Sequence, residues 1–167
     1  MTVAPARSYA RSDWASSFVN VEQELTDVAL TPVRGTVPTE LQGTFYRNGP
    51  GRLERDGHRV HHPFDGDGMI AAMRFENGSV CLSNRFVRTE GWLAEEKAGK
   101  VLYRGVFGSQ KPGGRLANAF DLRLKNIANT NVVRLGDQLS PSGRRRNPMR
   151  SIPAAWRPAS CHASMVC

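Results

Sequence analysis

Residues 69–87 read MIAAMRFENGSVCLSNRFV. Two runs rich in β-formers, 69–75 and 80–87, flank Glu76-Asn77-Gly78-Ser79. Asn-Gly is the dipeptide that two-residue hairpin turns favour, because both central positions take positive φ. The stretch therefore predicts an antiparallel β-hairpin, and it sets the reading of what lies on either side. Upstream, Gly43-Thr44-Phe45-Tyr46-Arg47 reads as a further strand, ended by the turn signal Asn48-Gly49-Pro50-Gly51. Before it, Pro32, Gly35 and Pro38 punctuate an extended stretch in which Val33 and Val37 suit an edge strand or a strand lead-in. Ser12-Asp13-Trp14 is placed to cap a short helix with Trp14, Phe18 and Val21 on one face, and residues 1–12 read as a flexible polar arm.

Downstream, residues 90–104 begin as a helix, with Glu95, Glu96 and Lys97 as formers. Residues 105–116, GVFGSQKPGGRL, read as an ordered Gly-rich loop or lid. Residues 117–123 suit a short helix, 126–135 a strand, and Gly136-Asp137 the next turn. With 16 Gly and 10 Pro in 167 residues, the pattern is mainly β with short helices. From residue 140 the character changes. The last 28 residues show neither helical nor strand periodicity, hold no Asp, Glu, Lys or Leu, and carry four of the ten prolines. The division is a 1–12 arm, a 13–139 β unit and an unstructured basic tail over 140–167.

The net charge of +8 raises the question of an anionic partner. Five of the 23 basic residues (Arg144, Arg145, Arg146, Arg150, Arg157) sit in the tail, which leaves 18 against 15 acids elsewhere, an ordinary solvated surface. The Arg triplet has only Trp156 beside it to stack on bases, so nucleic acid is not the expected partner. Three cysteines (Cys81, Cys161, Cys167) without CxxC spacing support neither a disulfide framework nor a zinc site. The N-terminus lacks the apolar core of a secretory signal and no run of 18 apolar residues occurs, so the expected location is the cytoplasm.

The densest polar cluster is His58, His61, His62, Asp65 and Asp67, in which HHPFDGDGM invites a metal reading. Adjacent His61 and His62 point to opposite faces of an extended chain. Asp65-Gly66-Asp67-Gly68 starts like a calcium loop, but Met69 and Ile70 fall where an oxygen ligand and a Gly belong. The plainer reading is a tight turn in which Asp65 accepts backbone N–H groups and Gly66 and Gly68 take positive φ. Asn48-Gly49-Pro50-Gly51 lacks the Lys-Ser/Thr of a phosphate loop and the three-Gly dinucleotide fingerprint. No nucleophile–base set has positional support.

Four stretches carry a resemblance: VRGTVPTELQGTFYRNGPG (33–51), HPFDGDGMI (62–70), NRFVRT (84–89) and KNIANTN (125–131). In their order and spacing they resemble the carotenoid cleavage oxygenase family. YRGVFGS (103–109) and FDLRLK (120–125) are similar to its bacterial and cyanobacterial apocarotenoid members. The likeness covers about residues 9–139. It implies the N-terminal part of a seven-bladed β-propeller whose full-length form holds Fe(II) on four His and uses O2 to split a conjugated double bond of a carotenoid or apocarotenoid. It further implies peripheral membrane contact, with Phe107 and the 105–120 segment at a tunnel mouth or against the membrane. The family's iron-binding His all lie beyond the matched segment, so the resemblance carries no catalytic, cofactor-binding or metal residue onto this chain. No iron and no activity are expected of it, and an incomplete propeller leaves sheet faces and edges open to aggregation.

The resemblance also calls for Leu-Trp-Glu soon after Gly136-Asp137, where this chain has Ser140-Pro141-Ser142-Gly143. Residues 139–145 can be written CTC TCG CCC TCT GGG AGG CGG. One C restored after the first codon yields Leu-Leu-Ala-Leu-Trp-Glu-Ala, the family's continuation, so the tail is expected to be a frameshift product. Two other expectations stand beside this one. One is a small basic protein binding nucleic acid or anionic membrane through 140–157; the other is a regulatory fragment pairing with a full-length oxygenase.

Overall fold

In the computed structural model, which describes residues 17–114, 118, 123–135 and 138–142, the central hairpin forms where the sequence places it. Strand β5 (Asp67–Glu76) pairs antiparallel with β6 (Ser79–Phe86). Asn77 and Gly78 turn between them at φ 48° and 76°, the doubly positive turn that matches the twist of the flanking strands. β1 (Val28–Leu30) adds to β6, and β2 (Gly43–Arg52) adds to β5, giving the order β1-β6-β5-β2. The result is a four-stranded antiparallel sheet, the size of a single propeller blade. Two small hairpins complete the strands: β3 (Glu54–Arg55) with β4 (His58–Arg59), and β7 (Asn131–Leu135) with β8 (Gln138–Ser142).

β2 does not stop at Asn48. It runs through Asn48-Gly49-Pro50-Gly51 to Arg52, with a register shift between Pro50 and Arg52. Pro50 is tolerated because β2 lies at the sheet edge, where a missing N–H breaks no central ladder, and Gly51 sits at the bulge. Gly51 is there for space. A Cβ on it would lie 2.7 Å from Met69 Cβ. The strand expected near Val33 and Val37 is replaced by β1 five residues earlier, and 126–130 is irregular rather than strand.

The core lies on both sides of the hairpin. Met69, Phe86 and Trp92 pack on one side with Val21; Ile70, Val87 and Ala128 pack on the other with Tyr46 and Val132. Trp92 belongs to helix α1 (Glu90–Ala98), where Thr89 Oγ1 accepts the Trp92 N–H at 3.1 Å and Gly99 ends the helix at φ 64°. Val21 reaches the core from irregular chain, not from a helix; Trp14 and the N-terminal arm lie outside the described residues. So does most of the helix expected over 117–123.

β8 crosses the expected boundary at 139/140. Leu139 and Pro141 are buried, and Pro141 pairs with Val132. A two-stranded sheet consists only of edges, so proline fits. The rest of the tail, and with it the five-Arg surface, lies outside the described residues. Cys81 on β6 is buried and disulfide-bonded, against the expectation of no disulfide framework. Among the described residues no helix is long and apolar enough to cross a membrane.

Candidate functional site

The HHPFDGDGM run does not gather into a ligand set. His58 stands exposed on β4. The His61 backbone N–H donates to Ser109 Oγ at 2.7 Å, while His62 Nδ1 accepts the Phe64 N–H at 3.1 Å and caps the 3-10 turn Pro63–Asp65. Asp65 and Asp67 then turn to separate partners. Among the described residues no group of three or more His, Cys, Asp or Glu is arranged to hold a metal ion. The iron that the resemblance implies does not fit these residues.

The tight-turn reading needs two corrections. Gly66 is extended (φ −69°, ψ 150°) and Gly68 is not in the positive-φ region. Gly68 is required by contact: a Cβ there would stand 2.2 Å from the Ala128 carbonyl oxygen. Asp65 does accept backbone N–H groups, but from a distant loop rather than its own turn. Its carboxylate takes the Phe107 N–H at 2.8 Å, the Ser109 N–H at 3.1 Å and the Ser109 hydroxyl at 2.6 Å.

Asp67 belongs to a buried ring of four alternating charges. Arg55 Nη2 meets Asp67 Oδ2 at 2.8 Å, and Arg55 Nε meets Glu95 Oε2 at 3.3 Å. Lys125 Nζ closes the ring, 2.5 Å from Asp67 Oδ1 and in contact with Glu95 Oε2. All four side chains are buried, Glu95 to 2% exposure. Glu96 adds a half-buried contact to Arg55. Burial by itself would lower the Arg55 pKa, but Asp67 and Glu96 raise it above the ordinary arginine value. The ring ties β3, β5, α1 and the segment before β7 into one frame. In sequence Arg55, Glu95 and Lys125 look like ordinary surface residues, and only the fold brings them to Asp67.

A second anchor lies on the sheet. Glu24 accepts the Phe86 N–H at 2.9 Å, and meets Arg85 at 2.9 Å and Arg88 at 3.2 Å. Burial pushes its carboxyl up, but the Phe86 N–H, the Arg85 hydrogen bond and both positive charges outweigh this and hold it below the ordinary value.

Above this frame opens a cavity of about 460 Å³. Phe64, Phe107, Val106 and Ile127 give it an apolar lining. Asn48 and Asn126 also line it, each with a side-chain carbonyl oxygen that is buried and has no hydrogen-bond partner. Phe64 and Phe107 form the rim, 57% and 42% exposed, with ring centres 5.6 Å apart and edge to face; the His62 ring stacks on Phe107 at 5.2 Å. Lys125 lines this cavity and also a water-sized one of about 30 Å³ within the charge ring. The backbone around the rim is held by side-chain amides. Asn129 donates to the carbonyls of Phe64 (3.0 Å) and Gly66 (2.8 Å), and Asn48 to those of Ala128 (2.9 Å) and Asn131 (2.8 Å). Such a site can hold an apolar, flat ligand by burial and ring contact. Among the described residues it presents no paired acid and base and no activated nucleophile.

Fold and site together define a mainly β segment that supplies the wall of an apolar cavity. The family model described as retinal pigment epithelial membrane protein matches residues 18–151, and the chain belongs to that family. Apocarotenoid-15,15'-oxygenase from Synechocystis sp. is 53% identical over 134 residues, 80% of this chain and 27% of that protein. A tryptophan-to-alanine variant of the Synechocystis apocarotenoid oxygenase superposes with a TM-score of 0.75 at 48% identity, over 88% of this chain and 32% of that one. A cobalt-substituted form of the same enzyme gives a TM-score of 0.73 at 47% identity over 88% and 32%. The chain thus spans about a quarter to a third of the length of the relatives it matches.

Proposed function

We propose that this chain is the N-terminal part of a carotenoid- or apocarotenoid-cleaving dioxygenase, and that its role there is to build one wall of the substrate cavity. The observation that carries the reading is the cavity itself: an aromatic rim and apolar lining on a rigid charged frame, in a chain 53% identical to an apocarotenoid oxygenase over 134 residues. The full-length protein is a seven-bladed propeller that works in the cytoplasm or at a membrane surface. Its ferrous iron, which would activate O2 there, is held by histidines outside the matched segment. The 167-residue chain alone binds no iron and cleaves nothing, and its sequence after residue 139 is the product of a shifted frame.

Three measurements on one preparation test this. Metal analysis of the purified chain is expected to find no stoichiometric iron after anaerobic incubation with ferrous salt. Incubation with β-apocarotenals in air is expected to leave them intact. Titration with cis-parinaric acid, a fluorescent conjugated polyene, is expected to show saturable binding that Phe107→Ala weakens. Stoichiometric iron or turnover by the chain would overturn the division of labour, and absence of polyene binding would overturn the cavity's role. Resequencing the source DNA from codon 130 onward decides the frame. One restored base should give Leu-Trp-Glu and an open frame with further His codons.

A further inference from the structure

The rim of the cavity is made of exposed rings on fixed backbone, and one buried carboxylate holds the 105–109 side of it. Asp65 is 4% exposed. It receives the Phe107 N–H, the Ser109 N–H and the Ser109 hydroxyl, all within 3.1 Å. Ser109 Oγ in turn accepts the His61 N–H at 2.7 Å, so the segments 61–65 and 105–109 are stitched on both sides of the carboxylate. The Gly105 N–H closes the loop onto the Ser109 carbonyl at 2.8 Å. The fit is tight enough that a Cβ on Gly105 would stand 2.3 Å from the Asp65 carboxyl carbon. Phe64 is the residue next to Asp65, and Phe107 sits midway along the loop it holds. Here one carboxylate oxygen takes the Phe107 N–H and the other takes both Ser109 groups; an amide in its place would turn a donor toward one of these two sets.

We propose that Asp65 is a positioning residue for the cavity: by gathering the 105–109 loop it sets the Phe107 ring against Phe64, and so fixes the width of the opening and the shape of the ligand end that passes. This rests on the reading that the cavity takes a conjugated apolar ligand. The mechanism is electrostatic, since charge-assisted hydrogen bonds to a buried carboxylate are stronger and more directional than neutral ones. Asp65 does not touch the ligand; it acts through Phe107.

The test compares two fluorescent or absorbing polyene acids, cis-parinaric acid with a slim linear end and all-trans-retinoic acid with a bulky ring, on the full 167-residue chain. Asp65→Asn is expected to change the ratio of the two Kd values by about fivefold in favour of the ring-ended probe, the scale of one lost hydrogen bond. Phe107→Ala should shift the ratio the same way. In the Phe107→Ala background, Asp65→Asn should shift it no further, since the two act in series. Equal loss of affinity for both probes alongside a lowered melting temperature would make Asp65 merely structural. A ratio shift that persists without the Phe107 ring would show it acting by another route. Either result overturns the proposal. Hydrogen exchange decides the same question without a ligand. Asp65→Asn should speed exchange over 105–109 about tenfold, the scale of a lost charge-assisted hydrogen bond, and leave the 69–86 hairpin unchanged. Exchange over 105–109 that does not change, or a rise spread over the whole chain, overturns the proposal. Should neither probe bind the parent chain, the ligand reading fails, and exchange still tests the positioning. If Asp65→Asn does not fold, Ser109→Ala removes one of the three bonds to Asp65, together with the His61 N–H bond to Ser109 Oγ, and is expected to give a smaller local rise over 105–109; no rise overturns the proposal.

Discussion

The β5–β6 hairpin and the irregular layer above it hold their shape by different means. The hairpin rests on backbone pairing: eight residue pairs in unbroken register, from Met69 with Phe86 to Glu76 with Ser79. The layer of 61–66, 105–109 and 125–129 contains no strand, so its backbone groups must find other partners. Side chains supply them. Asp65, Asn129 and Asn48 collect N–H and C=O groups from segments up to 83 positions apart, beside the Arg55–Asp67–Lys125–Glu95 ring. A ladder spreads its stability over many equal contacts. A polar network concentrates it in a few residues, and removal of one leaves the others buried without a partner.

The contrast is most easily broken at the ring. Arg55→Met leaves Asp67 and Glu95 with one cation between them, and urea unfolding is expected to show a loss of about 3–5 kcal/mol, the cost of an uncompensated buried charge. Gly68→Ala drives a methyl into the Ala128 carbonyl at 2.2 Å. Backbone on both sides leaves little room to yield, so about 2–3 kcal/mol is expected. In the hairpin, Gly78→Ala places a Cβ at φ 76°, in ordinary contact with the Val37 carbonyl oxygen at 3.4 Å and Thr39 Cγ2 at 3.5 Å, and the cost should be only about 1–2 kcal/mol. A stability loss for Gly78→Ala larger than that for Arg55→Met would erase the distinction between ladder and network.

Glu24 sharpens the comparison through pH. Its carboxyl lies below the ordinary value of 4.5 in the fold. Its contribution is therefore complete above that value and is lost as pH falls through the lower, folded one. Glu24→Gln is expected to cost about 1–2 kcal/mol at neutral pH. Its unfolding free energy should converge on that of the parent chain as pH falls through the lowered Glu24 pKa; an undiminished gap there would show that packing, not charge, is at work. The smallest effect is expected at the exposed Arg52–Glu22 pair, where Glu22→Gln should change stability by less than about 0.5 kcal/mol.

Legibility in the sequence follows the same division. The Asn77-Gly78 turn is decided within a few residues, and a local reading finds it; the Thr89 cap and the Gly99 stop are equally local, yet the sequence reading marks only that a helix begins at 90. Glycine was misread wherever the reason was distant. Gly51 and Gly68 are small because Met69 and Ala128 press on them, and nothing near them in the chain announces it. Asn48-Gly49-Pro50-Gly51 looked like a turn because turn chemistry and edge-strand chemistry share the same residues. The ring was invisible for a stronger reason: Arg55 and Glu95 lie 40 positions apart, and Glu95 and Lys125 lie 30 apart. The cavity was legible only at Phe107, through its Gly-rich, apolar neighbourhood.

Lys125 belongs to two structures at once, since it lines the cavity while its ammonium closes the charge ring. That dual membership couples the shape of the wall to the balance of the ring. A substitution at Lys125 that reshaped the cavity would also unbalance four buried charges, so drift at this position is blocked. Phe64 and Phe107 carry no such debt: their rings reach solvent while their backbones are secured by other residues. The opening can therefore be reshaped at those two rings without disturbing the charged foundation beneath them.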